Sequence, residues 1–183
     1  MRSIKEMLAS EGAVLNGHFK LASGLHGAKF LSCAKVVSEP SHAEKIIKEL
    51  AKQFHSERID FVLGVNEAGA ILAHGVAREL DTRFVLARAS ESGFSFARGF
   101  SVTSGSNVLI IDDVTTTGGT VLKLVDLCRK VDANVIGVGL VATKGLRELN
   151  VGCRVAILAK LDDFDAWPPE SCPLCKKGIP LNG

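Results

Sequence analysis

The chain has 183 residues, with 22 Lys and Arg against 20 Asp and Glu and a net charge of +2. One domain of this length buries about 70% of the surface that its unfolded chain exposes. Such a small net charge does not favour a nucleic acid or a membrane surface as the partner. We find neither an apolar run of about 20 residues, the length that spans a bilayer, nor an apolar signal segment near the N-terminus, so we expect a cytoplasmic protein.

The first 60 residues are predicted to contain two helices and two extended segments. A short helix is expected over about 1–11, and the extended segments over 18–24 and 28–37. Ser38 and Pro40 favour the start of the second helix. Apolar residues then follow at helical spacing: Ala43, Ile46, Ile47, Leu50 and Phe54.

Short apolar runs alternate with amphipathic segments in the rest of the chain. Buried strands are predicted at 61–65, 83–87, 107–111, 134–142 and 154–159. Two helices are predicted between them, with apolar stripes at Ala68, Ile71, Leu72, Val76 and Leu80 and at Val121, Leu124, Val125 and Cys128. The polar, glycine-bearing segment 88–99 is predicted to be a long loop or a loose hairpin.

This alternation predicts an α/β fold with a mostly parallel sheet that is covered by helices on both faces. Ligands of such folds bind beyond the carboxyl ends of the strands. The expected site therefore includes Asp112 and Asp113, and also 65–69, Arg88 onward and 143–145, because each of these follows a predicted strand.

The segment VLIIDDVTTTGGT, from Val108 to Thr120, places two adjacent carboxylates at the end of an apolar strand. Two such acids can hold a metal, bind a diol or act as acid and base. Hydroxyl residues and glycines then lead into a helix: Thr116, Thr117, Gly118, Gly119 and Thr120. Glycines let backbone N–H groups turn towards an anion, and a helix N-terminus adds partial positive charge. The pattern predicts a diol site beside a phosphate cradle, which suits a ribose 5-phosphate.

VLIIDDVTTTGGT resembles the phosphoribosyl pyrophosphate motif of the type I phosphoribosyltransferases. This resemblance implies a parallel sheet with flanking helices and a small hood. It implies that Asp112 and Asp113 are catalytic and hold the ribose hydroxyls, and that residues 116–120 hold the 5′-phosphate. It also implies Mg²⁺ as the cofactor, held mainly by the departing pyrophosphate.

Within that family, the segments 16–36 and 167–181 are similar to the hood and to the C-terminal tail of orotate phosphoribosyltransferases. The similarity implies transfer of a phosphoribosyl group to orotate, giving orotidine 5′-phosphate and pyrophosphate, in a homodimer with shared active sites. It places Phe30 and His26 near the base. The implied organisation is one domain with a hood over about 1–35, a core over about 36–160 and a tail over about 161–183.

The segment 88–99 corresponds to a family loop that carries cations for the pyrophosphate, often from the neighbouring subunit. Arg88 and Arg98 are the candidate catalytic cations here, whereas Ala89 and Ser92 stand where the family has lysines. At 143–144 the family usually has Asp-Arg, and this chain has Thr-Lys. Lys144 is therefore the candidate partner of the orotate carboxylate, although it lacks the bidentate fork of arginine.

Two further departures concern positions where some relatives have a lysine, Ala22 in the hood and Ala68 in the segment GVNEAGA. Because these changes affect the pyrophosphate and base sites, two alternatives to an orotate enzyme stay open. One is a phosphoribosyltransferase for another base. The other is a non-catalytic homologue that binds phosphoribosyl pyrophosphate or a nucleotide and regulates.

Other potential ligand residues are predicted to be structural. Cys172 and Cys175 form a single CxxC, two ligands short of a structural zinc site, so a turn in the tail is favoured over zinc. The five histidines show no metal-ligand spacing along the sequence. The acidic cluster Asp162, Asp163 and Asp165 is predicted to be a solvated turn rather than a metal site.

Overall fold

The computed structural model describes residues 3–10, 12–21, 23–91, 93–144 and 149–182. The strands are β1 Val14–Lys20, β2 His26–Leu31, β3 Phe61–Val65, β4 Arg83–Ser90, β5 Gly93–Phe96, β6 Asn107–Thr115, β7 Asn134–Lys144, β8 Arg154–Leu161 and β9 Ala166–Trp167. The helices are α1 Ile4–Ser10, α2 Cys33–Val37, α3 Pro40–Phe54, α4 Glu67–Glu79, α5 Gly119–Lys130 and α6 Pro173–Lys176, with a 3₁₀ turn at Pro169–Ser171.

The main sheet has six strands in the order β5-β4-β3-β6-β7-β8. All pairings are parallel except that of β4 with β5. Helices α3 and α4 pack on one face and α5 packs on the other, so that alternate strand residues enter two separate cores. Within the described residues, no helix is both long and apolar enough to cross a membrane. The predicted α/β class with a mostly parallel, helix-covered sheet is confirmed.

Strands β1, β2 and β9 form a second, antiparallel sheet in the order β1-β2-β9. Its third strand comes from the segment that the sequence assigns to the tail. Asn182 adds to this connection, because its backbone N–H donates to the His18 carbonyl at 2.6 Å and its Oδ1 accepts from the His18 N–H at 2.8 Å. The tail therefore lies against the hood strands.

Four local predictions differ from the structure. The extended segment 18–24 is placed too late in the sequence, because β1 is Val14–Lys20 and the chain turns at 23–24. The extended segment 28–37 is wrong beyond residue 32, because Cys33–Val37 is helical and buries Cys33, Val36 and Val37 at a spacing of three and four residues. Ile71 belongs to the predicted apolar stripe of α4 but is 50% exposed. The predicted strand 107–111 continues to Thr115, because residues up to Thr115 stay paired with β7.

Candidate functional site

A cavity of about 430 Å³ opens at the carboxyl ends of β6 and β7, beside the hood. Both acids of the motif contribute to its wall. Its described lining comprises Leu21, Ser23, Phe30, Leu31, Asn66, Asp112, Asp113, Val114, Thr115, Thr116, Thr117, Gly119, Thr120, Lys123 and Lys144. The fold thus brings the acid pair, most of the hydroxyl-rich turn, Phe30 and Lys144 to one place, at the sheet edge where parallel folds bind ligands.

The two adjacent acids are held by the backbone that follows each of them. Asp112 Oδ1 accepts the N–H of Asp113 at 2.9 Å, and Asp113 Oδ1 accepts the N–H of Val114 at 2.7 Å. Burial raises the pKa of Asp112 well above its ordinary value, and the neighbouring charge of Asp113 adds to that rise. Burial also raises the pKa of Asp113, although hydrogen bonding and the charge of Lys144 oppose the rise. Two crowded carboxylates of this kind favour a ligand that brings hydroxyl donors or a cation.

Helix α4 fixes the position of Asp112 through a close approach at Gly69. A Cβ atom at position 69 would lie 3.0 Å from Asp112 Oδ1. Since real Cβ contacts are rarely so short, a side chain there would push the carboxylate. Glycine at this position therefore lets the helix pack directly against the acid.

Asp112→Asn is expected to raise the melting temperature at neutral pH. The folded chain holds this carboxyl with a raised pKa, so the wild type loses stability as the pH rises from 3.8 through that higher pKa. Asparagine carries no charge and its Oδ1 still accepts the Asp113 N–H, so the gain should be full above the raised pKa and vanish below about pH 3.8. Thermal melts of both proteins across that pH range measure it, and an equal gain at every pH would contradict the explanation.

The turn after the acids is built by Gly118 and Thr115. Gly118 has φ +80°, a left-handed conformation that favours glycine, and its N–H donates to Thr115 Oγ1 at 2.9 Å. Helix α5 then begins at Gly119. Because Gly118 at the cap has no side chain, the first N–H groups of the helix are left to a bound anion. Of residues 116–120, the structure places all but Gly118 on the cavity wall.

Lys144 is 7% exposed and lies between two aromatic rings. Its Nζ is 5.6 Å from the ring centre of Phe30 and 5.5 Å from that of Phe164. Burial lowers the pKa of Lys144, while the nearby Asp113 carboxylate opposes that change. A buried ammonium between aromatic faces suits a flat, negatively charged ligand that stacks on Phe30.

A second cavity of about 480 Å³ lies beside the first and shares Asn66 with it. Arg88 lines this neighbouring cavity. Asn66 has φ 56° and ψ −175°, a conformation that is costly for any residue other than glycine and that clusters at functional sites. Arg98 is exposed and is not among the described residues that line either cavity.

The segment 88–99 is a hairpin, the second of the two predicted forms. Strand β4 continues to Ser90 and pairs with β5 as Arg88↔Ser95 and Ser90↔Gly93. Arg88 therefore extends from a paired strand, whereas Arg98 lies in the turn that follows β5. Ala22 and Ser92, at which relatives have lysines, lie outside the described residues. Residue 145, the last of the expected site segment 143–145, lies outside them as well.

His26 is not among the described residues that line the main cavity, so its contact with a base stays a prediction. It lies instead beside His18, Cys172 and Cys175, whose ligand atoms are all within 4.8 Å of one another and of its own. The spacing of the histidines along the sequence does not show this arrangement, because the fold brings His18 and His26 together with the two cysteines.

The cavity also contains residues that the sequence did not single out. Lys123 lies one turn inside α5 and brings a cation to the cavity, in a chain with no lysine between Lys52 and Lys123. Ser23 adds a hydroxyl from the hood. Lys123 comes four residues after Gly119 and therefore shares with it one face of α5. This spacing is the sequence signal that could have identified Lys123.

A further cavity, of about 600 Å³, lies at the opposite ends of the strands from the acid pair. Its lining includes Arg58, Asp60, Asp81 and Arg83, at the amino ends of β3 and β4. Ligands of parallel α/β folds bind at the carboxyl ends of the strands instead. Its greater size therefore does not make it the candidate site.

Comparison with known proteins identifies the family. The model of the phosphoribosyl transferase domain matches residues 38–169. The chain belongs to this family. An orotate phosphoribosyltransferase of Caldanaerobacter subterraneus subsp. tengcongensis is 36% identical over 178 residues, which cover 97% of this chain and 93% of that protein. One from Thermotoga maritima is 37% identical over 177 residues, with 97% and 94% covered.

Solved structures of the same fold include enzymes for different bases. The orotate phosphoribosyltransferase from Aeropyrum pernix matches with a TM-score of 0.70 and 24% identity, covering 86% of this chain and 93% of that one. The adenine phosphoribosyltransferase from Thermoanaerobacter pseudethanolicus matches with a TM-score of 0.71 and 19% identity, covering 86% and 99%. These likenesses support the fold, and the base has to be argued from the sequence relatives and from the cavity.

Proposed function

We propose that the protein transfers the phosphoribosyl group of phosphoribosyl pyrophosphate to orotate, giving orotidine 5′-phosphate and pyrophosphate. The observation that carries the proposal is the similarity to orotate phosphoribosyltransferases over 97% of the chain. The cavity supports it, because a buried lysine between two aromatic rings lies beside the acid pair and the phosphate cradle. Orotate is flat and carries one carboxylate, which suits that end of the cavity.

Each part of the cavity has a distinct role in this reaction. The cradle at 116–120 binds the 5′-phosphate, and Asp112 and Asp113 accept hydrogen bonds from the ribose hydroxyls. Their negative charge also stabilises the positive charge that develops at the anomeric carbon as pyrophosphate departs. Lys144 pairs with the orotate carboxylate while Phe30 stacks on the ring. Holding both substrates in line supplies much of the acceleration.

Arg88 and Asn66 are positioned for the pyrophosphate end of the substrate. The cavity that contains Arg88 adjoins the acid pair through Asn66, so a pyrophosphate group extending from the ribose has a cation on its path. Lys123 adds another cation to the main cavity. These cations neutralise part of the pyrophosphate charge that lysines neutralise in other members of the family.

Magnesium fits this site as an ion that arrives with the substrate. Carboxylate oxygens are ligands that Mg²⁺ prefers, and Asp112 and Asp113 offer them on the cavity wall. Among the described residues, the only cluster of three or more metal-ligating groups is the His/Cys cluster in the hood and tail, so the pyrophosphate would hold Mg²⁺ for the most part. When bound, Mg²⁺ neutralises the charge of the leaving group.

The working form that we propose is a cytoplasmic homodimer. Arg98 is exposed outside both cavities, as expected for a residue that serves the site of a neighbouring subunit. Family resemblance supports the same assembly. Neither a nucleic acid nor a membrane is part of the proposal.

A turnover assay tests the proposed function. We expect pyrophosphate release from phosphoribosyl pyrophosphate with Mg²⁺ to depend on orotate and not on uracil or adenine. Release with another base would make the protein a phosphoribosyltransferase for that base. Binding of phosphoribosyl pyrophosphate without release for any base would instead indicate the regulatory homologue.

A further inference from the structure

Four metal-ligating side chains meet on the hood, outside the substrate cavity. His18 lies on β1 and His26 at the start of β2, whereas Cys172 and Cys175 come from the tail. One ligand atom from each, namely His18 Nε2, His26 Nδ1 and the two Sγ atoms, lies within 4.8 Å of all the others. His18, His26 and Cys172 are buried, and Cys175 is exposed at the surface of the cluster.

The distances between these atoms are those of ligands around one small ion. His18 Nε2 lies 3.1 Å from His26 Nδ1, 3.5 Å from Cys172 Sγ and 3.7 Å from Cys175 Sγ, and His26 Nδ1 lies 3.2 Å from Cys175 Sγ. In a tetrahedron with zinc bond lengths, two nitrogens are about 3.3 Å apart and a nitrogen and a sulfur about 3.6 Å apart. Four of the six pairs of ligand atoms are therefore close to the spacing that a bound Zn²⁺ requires, and all six pairs lie within 4.8 Å.

A backbone carbonyl orients one of the imidazoles for a metal. His18 Nδ1 lies 2.7 Å from the Ile179 carbonyl oxygen, which can only accept, so Nδ1 carries the proton. The lone pair of Nε2 then faces the two thiols and His26. Histidines that bind metals commonly donate their other ring N–H to a carbonyl in this way. Thiols are weak hydrogen-bond partners, so contacts among the four groups alone satisfy the buried imidazoles poorly.

We propose that His18, His26, Cys172 and Cys175 bind one structural Zn²⁺ ion. Imidazole and thiolate in a two-plus-two tetrahedral set favour zinc over Mg²⁺ or Ca²⁺. Four protein ligands leave no position for a substrate, so the site is structural rather than catalytic. On binding, each cysteine thiol that becomes a thiolate releases its proton to solvent, while both histidines bind as neutral rings.

The zinc ion would attach the tail to the strand that carries Phe30. His26 and Gly27 of β2 already pair with Trp167 and Ala166 of β9. The ion adds a second connection, through Cys172 and Cys175, at the start of β2. Phe30, which lines the substrate cavity, lies near the other end of this strand. Loss of the ion should therefore loosen the hood and lower the melting temperature.

The metal content of the full-length protein tests this proposal. Purified without chelators and with reductant, the wild type should contain about one Zn²⁺ per chain, and the double variant Cys172→Ser/Cys175→Ser close to none. Cys153→Ser is the matched control, because this half-buried cysteine lies outside the cluster, and it should keep its zinc. Zinc in both cysteine variants at the wild-type level would contradict the proposal.

Because the double variant could fail to fold, the wild-type chain provides a second test. After removal of metal, titration with Co²⁺ should produce tetrahedral d–d absorption and a thiolate-to-cobalt charge-transfer band that saturate at about one equivalent, with a rise in melting temperature. A featureless spectrum, together with free thiols, would overturn the proposal, as would a Cys172–Cys175 disulfide in the reduced preparation. None of these measurements depends on turnover, so the outcome is independent of the proposed reaction.

Discussion

Asp113→Asn is expected to lower kcat/KM for phosphoribosyl transfer about 10²–10³-fold, the usual consequence of removing one electrostatic contact from a transition state. Asp113 lines the cavity, where positive charge develops on the ribose in the proposed reaction as pyrophosphate leaves. Asparagine keeps the shape and the oxygen that accepts the Val114 N–H, so the backbone of β6 should not change. The loss should therefore appear mainly in kcat, with the fold retained.

The matched control is Asp126→Asn, which removes an exposed acid from α5 outside the cavity. Its surface pair with Arg129 contributes little, so both activity and melting temperature should stay close to those of the wild type. Steady-state kinetics and a binding titration with phosphoribosyl pyrophosphate separate the two steps. If Asp113→Asn stays within about three-fold of wild-type kcat/KM, the acid pair does not stabilise the transition state.

The turn that we propose as the phosphate cradle could be predicted from the sequence because it is made by contiguous residues. The turn conformation of Gly118, its bond to Thr115 and the start of α5 at Gly119 are all set within five positions of the chain. The predicted strand before it ends too early, at residue 111 instead of Thr115. Its extension depends on pairing with β7, as in Asp112↔Leu140 and Thr115↔Thr143, and no local pattern reveals how far such pairing continues.

The surroundings of Lys144 and of the CxxC could not be predicted in the same way. Phe30 and Phe164 are over a hundred residues apart in sequence, and only the packing of the hood and tail brings both rings to Lys144. In the same way, the segment that contains Cys172 and Cys175 supplies only two of the four ligands of a zinc site. Their other two neighbours, His18 and His26, become adjacent through the fold.

The hairpin at 88–99 illustrates a third limit. Its small and polar residues are compatible with a loop or with strands, because strand propensity depends on the neighbours that a segment acquires. Here β5 pairs with the outer edge of β4, and Phe94 and Phe96 pack against the core beneath α5. Burial of those two rings favours the hairpin over the irregular loop.

Lys144→Met is expected to reduce kcat/KM for orotate about 10- to 100-fold, because a charged hydrogen bond to the base contributes about 1.5–3 kcal/mol. Binding of phosphoribosyl pyrophosphate should change little, since the proposed ribose and phosphate contacts lie on β6 and α5. The preference for orotate over uracil should fall by a similar factor, because uracil lacks the carboxylate. Competition kinetics with the two bases measure this ratio.

Stability distinguishes this effect from misfolding. Burial lowers the pKa of Lys144, which means that the folded chain bears a cost for its charge at neutral pH. Methionine removes that cost and can pack between Phe30 and Phe164, so the variant should melt no lower than the wild type while it loses activity.

Lys160→Met, at an exposed position of β8 paired with Thr143, is the control and should keep both activity and base preference. Unchanged preference in Lys144→Met would mean that another cation binds the base carboxylate. Lost preference with an intact fold would instead show that one lysine performs the recognition for which the family usually uses an arginine.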